Sequence, residues 1–294
     1  MDLQQLRYVV AVAETRNFTR AAERCFIAQS ALSQRVANLE RELGVKLFAR
    51  TSRRVEITPA GEAFLPSARQ ALEAAERAVA EAAAAVGLVR GRLAVGVIPT
   101  VAAIDMPAVL QHFRERHPEV RVSLRVGGSD LLTAQVASGE LDVAALGLPE
   151  GDRPRGVRVR RLAVDRLVAV VPATHPLAGE ARVGLRRLAE ETFVDFPARS
   201  PGRAQSDRAF AAAGLVRDVA FEVTVPDLLV RIVRQGLAIA LLPSAITGNY
   251  PGLATVPVVD GPSRVEYLIW SEFNPSPATQ AFLRSLDEVA KRAD

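Results

Sequence analysis

The chain is poor in the residues that carry covalent and metal chemistry. One of its 294 residues is cysteine, Cys25, so no disulfide can close within it and no cysteine-rich metal site can be built. It holds three histidines, His112, His117 and His175. The first two are five apart, a spacing that does not share a helix face well. The patterns G-x-S-x-G, G-x-G-x-x-G and the phosphate loop are all missing. No Ser/His/Asp constellation stands out, so no catalytic residue, metal ligand or cofactor is assigned. Aromatics make up 5 %, which leaves Leu, Val and Ala to build the cores. No uninterrupted apolar run is long enough to cross a bilayer. Residues 1–10 mix charged and apolar types and lack the apolar stretch of a secretory signal. A soluble, cytoplasmic protein with no membrane partner is expected.

What is present suits a folded chain of about two domains by length. Hydrophobic residues reach 49 % and charged residues 24 %, so the chain can bury cores. The net charge of +4 is concentrated: residues 1–58 hold ten Arg and Lys against six Asp and Glu, and the rest balances. A small basic module on a near-neutral body points weakly to nucleic acid.

That module reads as helices and a hairpin. Leu3, Leu6, Val9, Val10 and Ala13 recur at helical spacing and predict a helix over 2–15. Ala21, Ala22, Cys25 and Phe26 form a second, short apolar stripe, followed by a turn at Ile27–Gln29. Ser30 is the expected N-cap of a third helix whose inner row is Leu32, Val36, Leu39 and Leu43, with Gly44 at its end. Two short helices joined by a tight turn fit a helix-turn-helix. On the outer face, Ser30, Ser33, Gln34, Arg35 and Asn38 are small donors, amides and one guanidinium, suited to base edges in a major groove. A plain solvated face remains the alternative. Two short β-prone runs, 46–48 and 55–57, flank a basic turn, a candidate wing. Arg53 and Arg54 at its tip suit phosphates or a narrow minor groove.

This stretch resembles the LysR-type transcriptional regulators. The matching runs are LRYVVAVAE (6–14), FTRAAE (18–23), QSALSQ (29–34), LERELG (39–44), LFAR (47–50) and TPAGE (58–62). The departure is Ser30, where the family usually has proline. The resemblance implies bacterial origin, binding to double-stranded operator DNA through Gln29, Ser30, Ser33, Gln34 and Arg35, and a wing contact by Arg53.

From Pro59 to about Val86 the chain is rich in Ala and Glu. Leu65, Leu72, Val79 and Val86 fall seven apart, and Ala68, Ala75 and Ala82 interleave with the first three. This heptad row predicts a helix paired with a second copy, since so thin a stripe stabilises no single helix. Packing against its own domain is the alternative reading. The resemblance implies a homodimer through this helix, assembly to a tetramer and contact with RNA polymerase.

After Gly87–Gly91, strand and helix patterns alternate to the end, which predicts a parallel α/β domain. The runs GRL (91–93), FRERHP (113–118), GELD (139–142) and GLAIALLP (236–243) extend the resemblance over the rest of the chain. The expected architecture is therefore a winged helix-turn-helix over 1–58, a linker helix over 59–88, and a two-lobed, periplasmic-binding-protein-like effector domain over 91–294. The resemblance divides the last into lobe 1 (about 91–162 and 268–294) and lobe 2 (about 163–267). A small effector is expected between the lobes, where strand ends meet helix starts. The candidates are Pro99, Thr100, Val101, Gly128, Ser129, Gly147, Phe196, Ser200, Gly202, Arg203, Thr224 and Val225. Arg199 and Arg203 could clamp a carboxylate, hence an organic acid as effector, or be two surface arginines. A solute-binding transport protein and a two-lobed enzyme are the competing classes. Cys25 leaves open a redox-responsive regulator, although a cysteine on an inner stripe is usually a small hydrophobe.

Overall fold

A computed structural model of the chain describes every residue except 51–54, 249, 260, 273, 274 and 294, and of 50, 292 and 293 the backbone alone. The chain divides into two compact units, Met1–Leu88 and Val89–Asp294.

The first unit packs α1 (Leu3–Thr15), α2 (Phe18–Arg24) and α3 (Gln29–Leu43) around one core. Side chains start two of these helices: Asp2 and Gln5 form a reciprocal capping box, and Asn17 accepts from the N–H groups of Thr19 and Arg20. Val9, Val12, Leu32, Val36 and Leu39 are fully buried, as the helical spacing dictates. Strands β1 (Phe48–Arg50) and β2 (Val55–Ile57) pair antiparallel and close the core through Leu47 and an edge-on Phe18–Phe48 contact, with ring centroids 6.0 Å apart. The unit ends in α4 (Pro59–Ala84), capped by Thr58. Gly61 in its first turn has no room for a side chain, because a Cβ there would lie 2.3 Å from the Leu47 carbonyl oxygen.

Three expectations are corrected here. Ser30 is not the N-cap of α3. The helix begins two residues earlier, at Gln29, with extended Ala28 as a cap that offers no side-chain acceptor. Phe26 leaves the apolar stripe: its φ of 54° turns the chain out of α2, and the ring is 94 % exposed. Val86 lies past the end of α4, in the turn that follows Ala84.

The second unit has two lobes. In lobe 1, β3 (Gly91–Val97) lies between β4 (Val120–Val126) and β5 (Val143–Pro149), all parallel, with α5 (Met106–Arg116) and α6 (Ser129–Ala137) as crossovers. Alternation along β3 sends Leu93, Val95 and Val97 to a core under α5 and α11 (Pro277–Ala293), and Ala94 to a core under α6. The sheet then departs from the parallel expectation. Strand β12 (Ser263–Trp270) lies antiparallel to both β5 and the first half of β6 (Arg158–Pro172), because it returns to lobe 1 from the far side of lobe 2.

In lobe 2, the second half of β6 is flanked by β10 (Ala240–Pro243) and β11 (Leu253–Val259), with β7 (Val183–Gly184) beyond β11. A bridge from Ile239 to Phe193 links this sheet to the parallel pair β8 (Thr192–Asp195) and β9 (Asp218–Glu222). Helices α7 (Leu185–Leu188), α8 (Pro201–Ala212), α9 (Pro226–Arg234) and α10 (Ser244–Thr247) complete the lobe. The 15-residue β6 thus belongs to both lobes, pairing with β12 up to Arg166 and with β10 and β11 from Leu167. Its pairing changes a few residues after the expected lobe boundary at about 162–163.

Candidate functional sites

The outward face of α3 presents Gln29, Ser30, Gln34 and Arg35 to solvent, with Ser33 half-buried beside them. Leu32, Val36 and Leu39 on the opposite side are fully buried, so the apolar row orients the polar one. Gln34 donates to Asn38 (3.2 Å), and Arg41 also reaches the Asn38 amide oxygen. Gln29, Ser30 and Arg35 make no side-chain hydrogen bond or ion pair with the described residues. The start of α3 has no side-chain cap, which leaves its first N–H groups to an outside acceptor. Arg53 and Arg54 lie outside the described residues.

One buried carboxylate ties this helix to the wing. Glu40 is 4 % exposed; its Oε1 accepts from the N–H of Leu47 (2.9 Å) and of Phe48 (3.1 Å), and its Oε2 from Lys46 Nζ (2.8 Å). Burial pushes its pKa up, but Lys46 and the two amides outweigh that and hold it below the ordinary glutamate value. Cys25 is half-buried at the edge of the same core, and burial raises its thiol pKa against a smaller opposing effect of Arg24.

On α4, Leu65 and Ala68 are buried, Leu65 within the winged-helix core, while Leu72 and Ala75 are half-buried. Val79, Ala82 and Val86 are exposed. The heptad row therefore has two parts, and its N-terminal end serves the helix's own domain.

In the second unit a cleft of about 410 Å³ opens between the lobes. Lobe 1 contributes the chain after β3 (Ile98, Pro99, Thr100), the start of α6 (Gly128, Ser129) and Gly147 on β5. Lobe 2 contributes Phe196 and Pro197 after β8, the start of α8 (Ser200 to Gly202, then Gln205), and Thr224 with Val225 before α9. Ser129 Oγ donates to the Gly147 carbonyl (3.0 Å), which pins α6 to β5. A Cβ at Gly147 would come 2.8 Å from Ile98 Cδ1, so a side chain there would push the end of Ile98 aside.

Ten of the twelve effector candidates line this cleft; Val101 and Arg203 do not. Val101 turns away into the lobe 1 cores. Arg203 is held by carboxylates, Asp207 at 2.9 Å, Glu222 at 3.3 Å and Asp195 at 3.8 Å, and it donates to the Phe196 carbonyl. Behind it the guanidinium of Arg217 sits between the rings of Phe193 and Phe210, 5.0 and 5.1 Å from their centroids, and pairs with Asp195 (2.8 Å) and Asp207 (2.6 Å). Burial raises the pKa of Asp195 in spite of Arg217.

Two lining residues with polar side chains were not among the candidates. Arg264 on β12 is 1 % exposed; its Nη1 donates to Thr100 Oγ1 (2.8 Å), and its Nη2 to the Thr100 carbonyl (2.8 Å) and to Glu266. Burial lowers its pKa, and Glu266 and Asp165 oppose that. Glu266 in turn accepts from the N–H groups of Ala102 and Ala103, while Asp165 on β6 accepts from Ser244 (2.6 Å). The spacing Arg264-x-Glu266 puts two charges on one face of an otherwise apolar strand, a signal legible before folding. Gln205, on the buried side of α8, had no such signal.

The geometry is that of a helix-turn-helix module followed by a two-lobed ligand-binding domain. Residues 3–62 match the family of bacterial regulatory helix-turn-helix proteins of the lysR family, and residues 87–291 match the LysR substrate binding domain. The transcriptional regulator BudR of Raoultella terrigena is 32 % identical over 96 % of this chain and 99 % of its own. A full-length OxyR variant from Pseudomonas aeruginosa superposes with a TM-score of 0.75 at 26 % identity, covering 97 % of this chain and 94 % of that one. Full-length CbnR in complex with its target DNA gives 0.71 at 26 % identity over 98 % and 99 %. The chain belongs to the LysR family of transcriptional regulators. Among the described residues no helix is long and apolar enough to cross a membrane, and no cluster of His, Cys, Asp and Glu could hold a metal ion.

Proposed function

We propose that this protein regulates transcription by binding an operator sequence through α3 and the wing, with its arrangement on DNA set by a small molecule in the interlobe cleft. One observation carries the reading: a cleft lined from both lobes, which are joined through β6 and the chain entering β12, so that a ligand touching both walls favours one lobe arrangement. The unengaged Gln29, Ser30 and Arg35 on α3 support base readout, and the uncapped helix start supports a phosphate contact. Arg53 and Arg54 are assigned to the wing contact. The exposed Val79 and Ala82 on α4, with Leu72 and Ala75, form the dimerisation face, and the dimer reads two half-sites. Tetramer assembly and contact with RNA polymerase complete the reading, in the cytoplasm and without catalysis. Cys25 serves as a core thiol: its raised pKa disfavours the thiolate that peroxide sensing needs.

The test is salt-dependent binding of the full chain to duplex from upstream of its own gene, against random duplex of equal length. A clear preference, with affinity falling steeply in salt, is expected. Arg35→Ala should cost about 1–3 kcal/mol on the operator alone, whereas Arg53→Ala should weaken all duplexes evenly. Equal loss on every duplex for both variants overturns the assignment.

A further inference from the structure

The cleft's polarity narrows what it takes. Its wall is built largely of Ile98, Val126, Phe196, Val225 and three prolines, Pro99, Pro197 and Pro201, which remove three backbone donors. The one ionisable side chain among the described lining residues is Arg264, and its charge is matched by Glu266, buried beside it. An anion placed there would meet the Glu266 carboxylate as well as the guanidinium. The helix starts are equally unsuited to an acid. Helices α6 and α9 carry Asp130 and Asp227 in their first turns, and α8 opens with Pro201, while its cap Ser200 already accepts from the N–H of Arg203.

Gln205 is different. It lines the cleft from the buried side of α8, is 6 % exposed, and its carboxamide has no hydrogen-bond partner among the described residues. The carboxamide atoms are not among the fully buried unpartnered ones and so open onto the cleft, where a ligand that displaces water must match one donor and one acceptor.

Resting on the reading of the cleft as the effector site, we infer that the effector is an uncharged, mainly apolar molecule with an amide- or lactam-type head, which pairs reciprocally with the Gln205 carboxamide. The head's carbonyl accepts from Gln205 Nε2, and its N–H donates to Gln205 Oε1.

The test uses the full chain and three probes of one ring size: benzamide, sodium benzoate at matched ionic strength, and toluene. Binding is read from the thermal shift of Trp270 fluorescence and by titration calorimetry. Benzamide should bind most tightly, toluene more weakly and benzoate least. Gln205→Leu should raise the Kd for benzamide roughly ten-fold and leave toluene binding intact or improved; Gln205→Met repeats the comparison should the leucine variant not fold. Benzoate binding tighter than benzamide, or benzamide binding unchanged in the variants, overturns the inference. Toluene binding with no gain from the amide head overturns it while leaving the cleft as a ligand site. Binding of none of the three overturns both.

Discussion

Glu40 offers the sharpest test of how the recognition helix is held to the wing. Replacing it with alanine strands the N–H groups of Leu47 and Phe48 in a buried place. Each stranded donor costs about 1–3 kcal/mol, so Glu40→Ala should lose about 3–5 kcal/mol in all. Glutamine acts differently, because both amides are served by the same oxygen, Oε1. Glu40→Gln keeps that acceptor and gives up the charge assistance and the pair with Lys46. The Lys46 side chain is 70 % exposed and can return to water. The loss should then be about 1–2 kcal/mol. The single tryptophan, Trp270, lies in the second unit, so its fluorescence follows that unit alone, while far-UV circular dichroism also follows the helices of the first. In a urea titration the dichroism transition should move for both variants and the fluorescence transition for neither. The pH dependence has a definite sign. Because the folded-state pKa of Glu40 is depressed, its contribution is fully present above the unfolded value of about 4.3 and fades as pH falls through the folded one. The gap between wild type and Glu40→Gln should therefore close toward pH 3. A glutamine variant as damaged as the alanine one, or a gap independent of pH, would refute the reasoning.

Three further outcomes are expected. Arg217→Met should leave buried Asp195 with only the longer contact to Arg203 as an ion pair, lowering stability by about 3–5 kcal/mol in thermal melts, with partial recovery on adding Asp195→Asn; no recovery would mean that the packing between Phe193 and Phe210 matters more than the charge. Gly61→Ala should destabilise the first unit, because a Cβ meeting the Leu47 carbonyl costs about 3 kcal/mol and outweighs the gain of about 1 kcal/mol in helix propensity; a raised dichroism melting temperature would contradict this. Phe26→Asn should raise stability by about 0.5–1 kcal/mol, since asparagine adopts the left-handed backbone more readily and the exposed ring packs on little; a lower melting temperature would show that the ring has a packing partner.

The winged-helix module was legible in detail because its determinants are local. Periodicity set the buried rows of α1 and α3, and the polar row opposite Leu32, Val36 and Leu39 followed from helix geometry alone. The misses there were backbone matters. Phe26 reads as apolar and therefore inward, yet the turn needs a left-handed residue at that position and turns the ring outward. Ser30 reads as a cap, yet the cap falls two residues earlier, at Ala28, whose backbone is already extended. In the second unit, strand and helix order was legible, and so were the segments that wall the cleft, since strand ends and helix starts mark themselves. The length of β6 was not, because a strand shared between two sheets has two burial patterns end to end.

The sequence by itself determined the LysR family, the order of the elements, the inner and outer faces of the helices, and which loops could meet at a cleft; each follows from spacing along one stretch of chain. Tertiary structure alone decided what those loops present. Arg203, a plausible clamp by position, is consumed by Asp207 on its own helix, by Asp195 on β8 and by Glu222 on β9. Arg264, marked in the chain only by its spacing to Glu266, and Gln205, silent there, are brought to the cleft wall by the return of β12 and the packing of α8. Charge compensation depends on which groups come within a few ångströms of one another, and for residues 164 positions apart, such as Thr100 and Arg264, that distance exists only once the chain has folded.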